Sequence, residues 1–389
     1  MVDLSGLNKL LKNSYVVALI TFSLITLGGI ARYSNIGQIT GDLTDWLFPW
    51  YDYITSHGIL NALGDKFSNY APAYTYLLAV ATIFPVQKII AIKSISILMD
   101  IINCVLIYKI VKLRYQSGRV PLLSSAIFWI LPTVIINSSY WGQCDSIYTG
   151  FLLLTLYMMI LKRPLASLVY FSIALAFKLQ AIFMAPFVLV LFLKSFYGQE
   201  KIDFKLWYFL MIPIIYIVIS MPTIFLGRDP AEVLTVYLHQ ADTYKELNMN
   251  AANLYFLISN DYYDSVYKYG LISTIVLLFT WVIYTYRLAF EHYKEQIVIS
   301  ALACVSLAPM ILPKMHDRYF YPADVISLIV AFYIPRLWFL PFIFQLTSFL
   351  AYSRWLGIYW HNKVFVIICI LNFITVIYII KNQKIRKSP

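Results

Sequence analysis

What most constrains this chain is a series of apolar runs that recurs from Val16 to Ile380 with little polar sequence between them. A membrane-crossing helix needs about 20 apolar residues, and about 17 suffice. Such runs occur near 14–31, 92–111, 120–137, 146–161, 164–177, 181–193, 206–226, 269–286, 296–312, 322–334, 337–352 and 363–380. Only 13% of the residues are charged and the mean hydropathy is +0.73, against about 25% charged in a soluble globular chain. The expected fold class is all-α: a polytopic transmembrane helical bundle of about twelve spans. No small-residue cleavage site follows the first run, so it reads as a retained helix. The expected organisation is a single integral-membrane domain over 1–389. It comprises a first span (14–31), a first extracytoplasmic loop (32–91), a transmembrane core (92–334) and a C-terminal span pair (335–389).

The net charge of +11 would suggest nucleic acid in a soluble protein. In a membrane protein it reads as cytoplasmic retention of Lys and Arg, so no nucleic-acid partner is expected. Lys9 and Lys12 precede the first span, and Lys109, Lys112, Arg114 and Arg119 separate the second from the third. Lys162-Arg163, then Lys194, Lys201 and Lys205, then Arg287 and Lys294, then Arg336 follow at alternate connections, and Lys381, Lys384, Arg386 and Lys387 close the chain. All fall on one side of a twelve-span protein of the plasma membrane with both termini cytoplasmic. Two segments test that count. Tyr74–Phe84, between Pro72 and Pro85, has about half the length of a span and reads as a re-entrant or interfacial piece. Ala166–Leu193, with Lys178 and Gln180 at its middle, reads as two short helices meeting at the outer face. The four cysteines form no CxxC pair and no ligand spacing, so neither a disulfide framework nor a metal site is expected.

The unusual polar residues gather on the outer side. Gly41-Asp42-Leu43-Thr44-Asp45-Trp46 leads into a segment whose Trp46, Trp50, Tyr51 and Tyr53 suit a helix at headgroup level. Asp42 either caps that helix or presents a carboxylate that accepts a proton or binds a polar ligand. Asp45, one turn on, either shares that site or faces water. In Trp141-Gly142-Gln143-Cys144-Asp145, Asp145 caps the following helix or joins Gln143 in a site. Lys178 would cost about 2.5–3.5 kcal/mol if left in lipid, so it needs a cavity or a partner unless it snorkels. Asp100 in the second span needs a partner that the sequence does not name.

The stretch Leu312-Pro313-Lys314-Met315-His316-Asp317-Arg318-Tyr319-Phe320-Tyr321-Pro322 puts four ionisable side chains in five residues between two apolar runs. One reading is a surface cluster in which Asp317 and Arg318 pair locally, for about 0–1 kcal/mol. The other is an anion site, because Arg forks onto phosphate oxygens and His donates a hydrogen bond. At an outer leaflet the anion would be a lipid-linked phosphate. The long outer loop Gly227–Lys268 adds Arg228, Tyr237, His239, Tyr244, Asn250, Asn253 and Tyr255, which would cover the site or select an acceptor.

Five motifs in this order form a pattern: the early carboxylate, Tyr70-Ala71-Pro72-Ala73-Tyr74-Thr75-Tyr76-Leu77, WGQCDSIY, FKLQAIF and HDRYFYPAD. Across residues 10–330 the chain resembles the GT-C superfamily of integral-membrane glycosyltransferases. It is most similar to the bacterial branch near the polyprenyl-phosphate-mannose-dependent mannosyltransferases. The resemblance implies transfer of a mannose- or glucose-like hexose, with inversion, from a polyprenyl-phosphate-linked donor to a cell-envelope glycan or glycolipid acceptor, in contact with membrane lipid on the extracytoplasmic face. It implies Asp42 as the catalytic carboxylate. His316 and Arg318, with Lys178 and Lys314, would bind the donor phosphate. Asp45, Gln143, Asp145, Gln180, Arg228, Asp317 and Tyr319 would be possible substrate contacts. No cofactor or metal is implied. The chain departs from the family in reading YAP where many members read YPP, and GDLTD where they carry a tighter pair of acids. Two other classes are the alternatives: a lipid-linked oligosaccharide flippase or transporter, which would place charged residues deep in several helices, and an outer-leaflet polysaccharide polymerase or ligase, which shares the location and the lipid-phosphate substrate.

Overall fold

The computed structural model describes residues 13–385 apart from Tyr359. Lys9, Lys12, Arg386 and Lys387, four of the orienting basic residues, lie outside the described residues. The fold is all-α and multi-pass. Among the described residues, seven helices are long and apolar enough to cross a membrane, and an eighth is if the bent pair Arg119–Trp129 and Pro132–Trp141 counts as one span. Other expected spans are shorter helices of 13–16 residues: α6 (Asp145–Ile160), α7 (Pro164–Phe177), α13 (Tyr321–Tyr333) and α14 (Leu340–Ser353). At 1.5 Å per residue each covers only about 20–24 Å.

Helix α1 (Ser14–Asn35) starts where the Asn13 side chain accepts from the amides of Tyr15 and Val16. It runs past the expected end at residue 31. Arg32 ends the apolar run but not the helix, because it is buried against Asp100 at 2.8 Å, with its guanidinium 3.5 Å from the Trp129 ring centre. Asp100 thus has its partner. Helix α2 (Phe48–His57) follows a π-helical turn, Leu43–Leu47. Its aromatics depart from the interfacial reading: Trp50 and Tyr51 are buried, while Trp46 stays exposed. They pack with Ile54, Tyr74, Leu78, Ile92 and Ile147 in a second core that fixes the segment 43–81 to the bundle. Helix α3 (Pro72–Ala81) is ten residues long, about 15 Å, too short to cross alone.

Helix α4 (Lys88–Lys112) crosses the bundle. The run expected as one span at 120–137 is instead broken by 53° between α5 (Arg119–Trp129) and Pro132–Trp141. Pro132 cannot continue the preceding helix, and Ile136–Trp141 is π-helical. The chain also breaks at Lys178, which is extended (φ −156°, ψ 133°) between α7 and a 3₁₀ turn, Leu179–Met184, that leads into α8 (Ala185–Phe196). Beyond α9 (Met211–Phe225) and α10 (Pro230–Asp242) lie α11 (Tyr263–Arg287) and α12 (Tyr293–Ile311). Helix α12 is buried from Gln296 to Ile311, at the centre of the main core. Helix α15 (Asn362–Asn382) closes the bundle.

One short β-pairing joins two segments distant in sequence. Strand β1 (Asn248–Met249) runs parallel to β2 (Met315–His316). Asn253 donates to the carbonyls of Pro309 (3.0 Å) and Leu312 (3.1 Å). The long loop 227–268 is thereby docked on the LPKMHDRYFYP motif.

Candidate functional site

A cavity of about 550 Å³ brings the early carboxylate and the late basic motif together. Asp42, Gln143, Lys178, Gln180, Lys314, His316, Arg318 and Tyr319 all line it. Asp42 does not cap its helix: its backbone is already helical (φ −62°, ψ −29°) and its side chain makes no capping bond, whereas a cap needs extended backbone. The carboxylate is therefore free to accept a hydrogen bond from Gln143 Nε2. Asp45 lies outside the cavity, exposed, and accepts from Thr44 Oγ1 at 2.9 Å.

Asp145 is not a cap either, since Cys144 holds that position and Asp145 opens α6. It is fully buried behind the cavity wall. Lys178 Nζ donates to it at 2.6 Å and Asn137 Nδ2 at 3.0 Å. Lys178 therefore does not snorkel; it holds a buried partner, as an intramembrane cation must. Arg318 sits between three carboxylates: Asp42 at 3.8 Å, Asp145 at 3.7 Å and Asp317 at 3.9 Å. The expected local pair with Asp317 is only one of these contacts. Arg318 Nε lacks a hydrogen-bond partner among the described residues, so the guanidinium keeps donor capacity for a ligand.

His316 is held by the β-pairing and set edgewise against Tyr244 (5.9 Å) and Tyr319 (5.2 Å). Burial, then the charges of Arg318 and Lys178, push its pKa well below the ordinary histidine range. It is a neutral ring whose Nδ1 has no partner among the described residues. Lys314, in a left-handed conformation (φ 63°), places its ammonium over Tyr263 and Tyr267 at 5.6 and 5.2 Å. Arg228 is outside the cavity, buried, and paired with Glu232 at 2.8 Å.

Asp317 is fully buried behind the cavity. Its Oδ1 accepts from the Arg318 amide at 2.7 Å and its Oδ2 has no partner among the described residues. Burial pushes its carboxyl up to about 8; Arg318 opposes this, and Asp42 and Asp145 add to it. Between an unfolded value of 3.8 and the folded value of about 8, the folded protein holds a proton that the unfolded chain has released. This contribution to stability is full below 3.8 and is lost as pH rises through about 8. Asp317→Asn should flatten the pH dependence of the thermal unfolding midpoint across that window. An unchanged slope would contradict the buried-carboxyl account.

Trp50, Tyr70, Tyr74, Tyr244 and Trp355 supply aromatic walls; Tyr244 comes from the loop expected to cover the site and Tyr70 and Tyr74 from the YAPAYTYL motif, whereas Trp355 carried no signal in the sequence. Trp141 lies under Arg318, 5.4 Å from ring centre to guanidinium. Trp355 comes from the turn after α14, beyond the stretch that carries the resemblance. Gly142, left-handed at φ 76°, lets the chain leave the π-helical segment and aim Gln143 at Asp42. A Cβ there would stand 3.3 Å from Lys93 Cγ and 3.4 Å from Leu43 Cδ2. Gly142→Ala should destabilise the protein by about 1–2 kcal/mol, read as a lowered thermal midpoint in detergent; an unchanged midpoint would contradict this.

Three carboxylates converge on a guanidinium here, and no group of three His, Cys, Asp or Glu among the described residues is arranged to hold a metal ion. Chemically, the cavity offers a carboxylate partly open to solvent, cations behind and beside it, and aromatic walls. No protein-family model matches this chain, and no curated protein matches it.

Proposed function

We propose that the protein is a glycosyltransferase that moves a hexose from a polyprenyl-phosphate donor to a hydroxyl of an envelope glycan or glycolipid on the extracytoplasmic face. The observation that carries this reading is the 3.8 Å approach of Arg318 to Asp42 at the wall of one cavity. The two groups are 276 positions apart in sequence (318 less 42), and a base and a leaving-group site must meet in such a reaction.

In the proposed step the acceptor oxygen attacks the anomeric carbon from the face opposite the phosphate. The bond from that carbon to the phosphate oxygen breaks, and the configuration inverts. Asp42 takes the hydroxyl proton, oriented by Gln143. The bond electrons leave with the phosphate, where Arg318, Lys178 and Lys314 offset the growing charge and neutral His316 donates a hydrogen bond.

A transport reading needs charged groups lining a path through the bundle. The buried ionisable groups Arg32, Asp100 and Asp324 are instead engaged with neighbouring side chains, Lys93 and Lys194 are engaged with backbone carbonyls, and none of the five lines the cavity.

The test uses purified protein in lipid nanodiscs, a polyprenyl-phosphate hexose labelled in the sugar, and a glycolipid extract as acceptor. Label should move from the prenyl lipid to the acceptor with inverted anomeric configuration. Label that stays on an intact donor for every hexose tried would contradict the proposal.

A further inference from the structure

Helix α4 carries Lys93, Ser96, Asp100 and Asn103 in a mostly apolar run. Steps of three, four and three put them on one helix face. All four are buried, and none lines the cavity. Every one is bonded to the segment 138–146, which carries the cavity's wall. Lys93 Nζ donates to Tyr140 O at 2.8 Å, Ser96 Oγ to Gln143 O, and Asn103 Nδ2 to Ser146 O at 2.9 Å. Asp100 accepts from Ser138 Oγ at 2.6 Å. The grip is mutual, because Ser146 Oγ donates back to Ser96 O at 3.3 Å.

Lys93 does more. It also donates to Gln38 O at 2.6 Å and Asn35 O at 3.3 Å, the stretch just before Asp42. One ammonium thus ties both chain segments that present the Asp42–Gln143 contact. Gly150 leaves room for the stripe: a Cβ there would stand 2.5 Å from Asn103 Oδ1.

Polar groups inside a membrane helix are costly unless matched. Lys93, Ser96 and Asn103 are matched here by backbone carbonyls and Asp100 by the Ser138 hydroxyl. We infer that this face of α4 is a positioning clamp, in which Lys93, Ser96 and Asn103 set the aim of Gln143 and Asp145 toward Asp42 and Arg318. They are positioning residues; none touches the reacting atoms. The catalytic consequence rests on the glycosyl-transfer reading, whereas the clamp itself does not.

Cys144 provides the readout, since it lies inside the clamped segment, lines the cavity and is buried. The full-length protein in nanodiscs is treated with water-soluble iodoacetamide, and modification at Cys144 is followed by peptide mass spectrometry. Ser96→Ala and Lys93→Met should raise the rate several-fold by loosening the segment locally, and Ser96→Thr, which keeps the hydroxyl, should restore it. In the transfer assay Ser96→Ala should lower kcat about 10-fold to 100-fold, as for small misplacement of reacting groups, with donor KM little changed. Wild-type alkylation rates in both Ser96→Ala and Lys93→Met would overturn the clamp. A wild-type protein that transfers no sugar would sink the functional reading, and the alkylation comparison would then decide the clamp alone.

Discussion

Asp42→Asn should lower kcat/KM for transfer by about 10²–10⁴-fold, the range of a lost general base. The amide has the size of the carboxylate but cannot take the acceptor proton. Its neighbours make this a clean substitution, because Asp42 makes no capping bond and Gln143 can turn its own amide to meet the new one. Folding should therefore be retained, and donor affinity should hold or rise, since a negative charge leaves the phosphate site. Asp45→Asn is the matched control. Asp45 is exposed and bonded to its neighbour Thr44, so its loss should leave transfer near wild type. Equal losses in the two variants would show that any acid near the membrane surface matters, not this one.

Arg318→Lys should cost about 10²–10³-fold in kcat, comparable to removing a preorganised donor from a site of developing charge. Lysine keeps the charge but not the fork, and it cannot reach Asp42, Asp145 and a phosphate together. Three carboxylates lie within 3.9 Å of this guanidinium, so Arg318→Gln would also leave acids facing one another. That variant carries a stability loss of about 3–5 kcal/mol, as when a buried pair is broken. Lysine is the better probe for this reason. The affinity for polyprenyl phosphate, measured with Asp42→Asn alongside, separates the roles: weakened in Arg318→Lys, retained in Asp42→Asn. Retained affinity in Arg318→Lys would remove Arg318 from the phosphate site.

The sequence made the membrane character legible because long apolar runs have few other solutions. It also located the break at Lys178, because a lone cation in an apolar run must stop or be matched. Helix ends were less legible. Arg32 closes a hydropathy window, yet α1 continues because Asp100, 68 positions away, takes its charge. The same logic hid Asp145, which reads locally as a cap and is in fact the partner of Lys178, 33 positions on. Pairings of this kind depend on packing, which periodicity does not encode. The buried Trp50 illustrates another limit: aromatics suit both a headgroup layer and a core. The polar stripe on α4 was legible in principle. Lys93, Ser96, Asp100 and Asn103 recur at helical spacing, but spacing does not show which carbonyls they reach. His316 could be placed by its motif, whereas its neutral state follows from burial beside Arg318 and Lys178.

The central claim is that one cavity holds both the proton acceptor and the donor phosphate. A structure determined by electron microscopy in nanodiscs, with a non-transferable polyprenyl-phosphate hexose analogue and an acceptor glycolipid bound together, tests it most directly. The account predicts the phosphate at Arg318 and Lys178, and the anomeric carbon on the Asp42 side within about 3–3.5 Å of the acceptor oxygen. A phosphate bound elsewhere in the bundle, or a sugar facing away from Asp42, would contradict it.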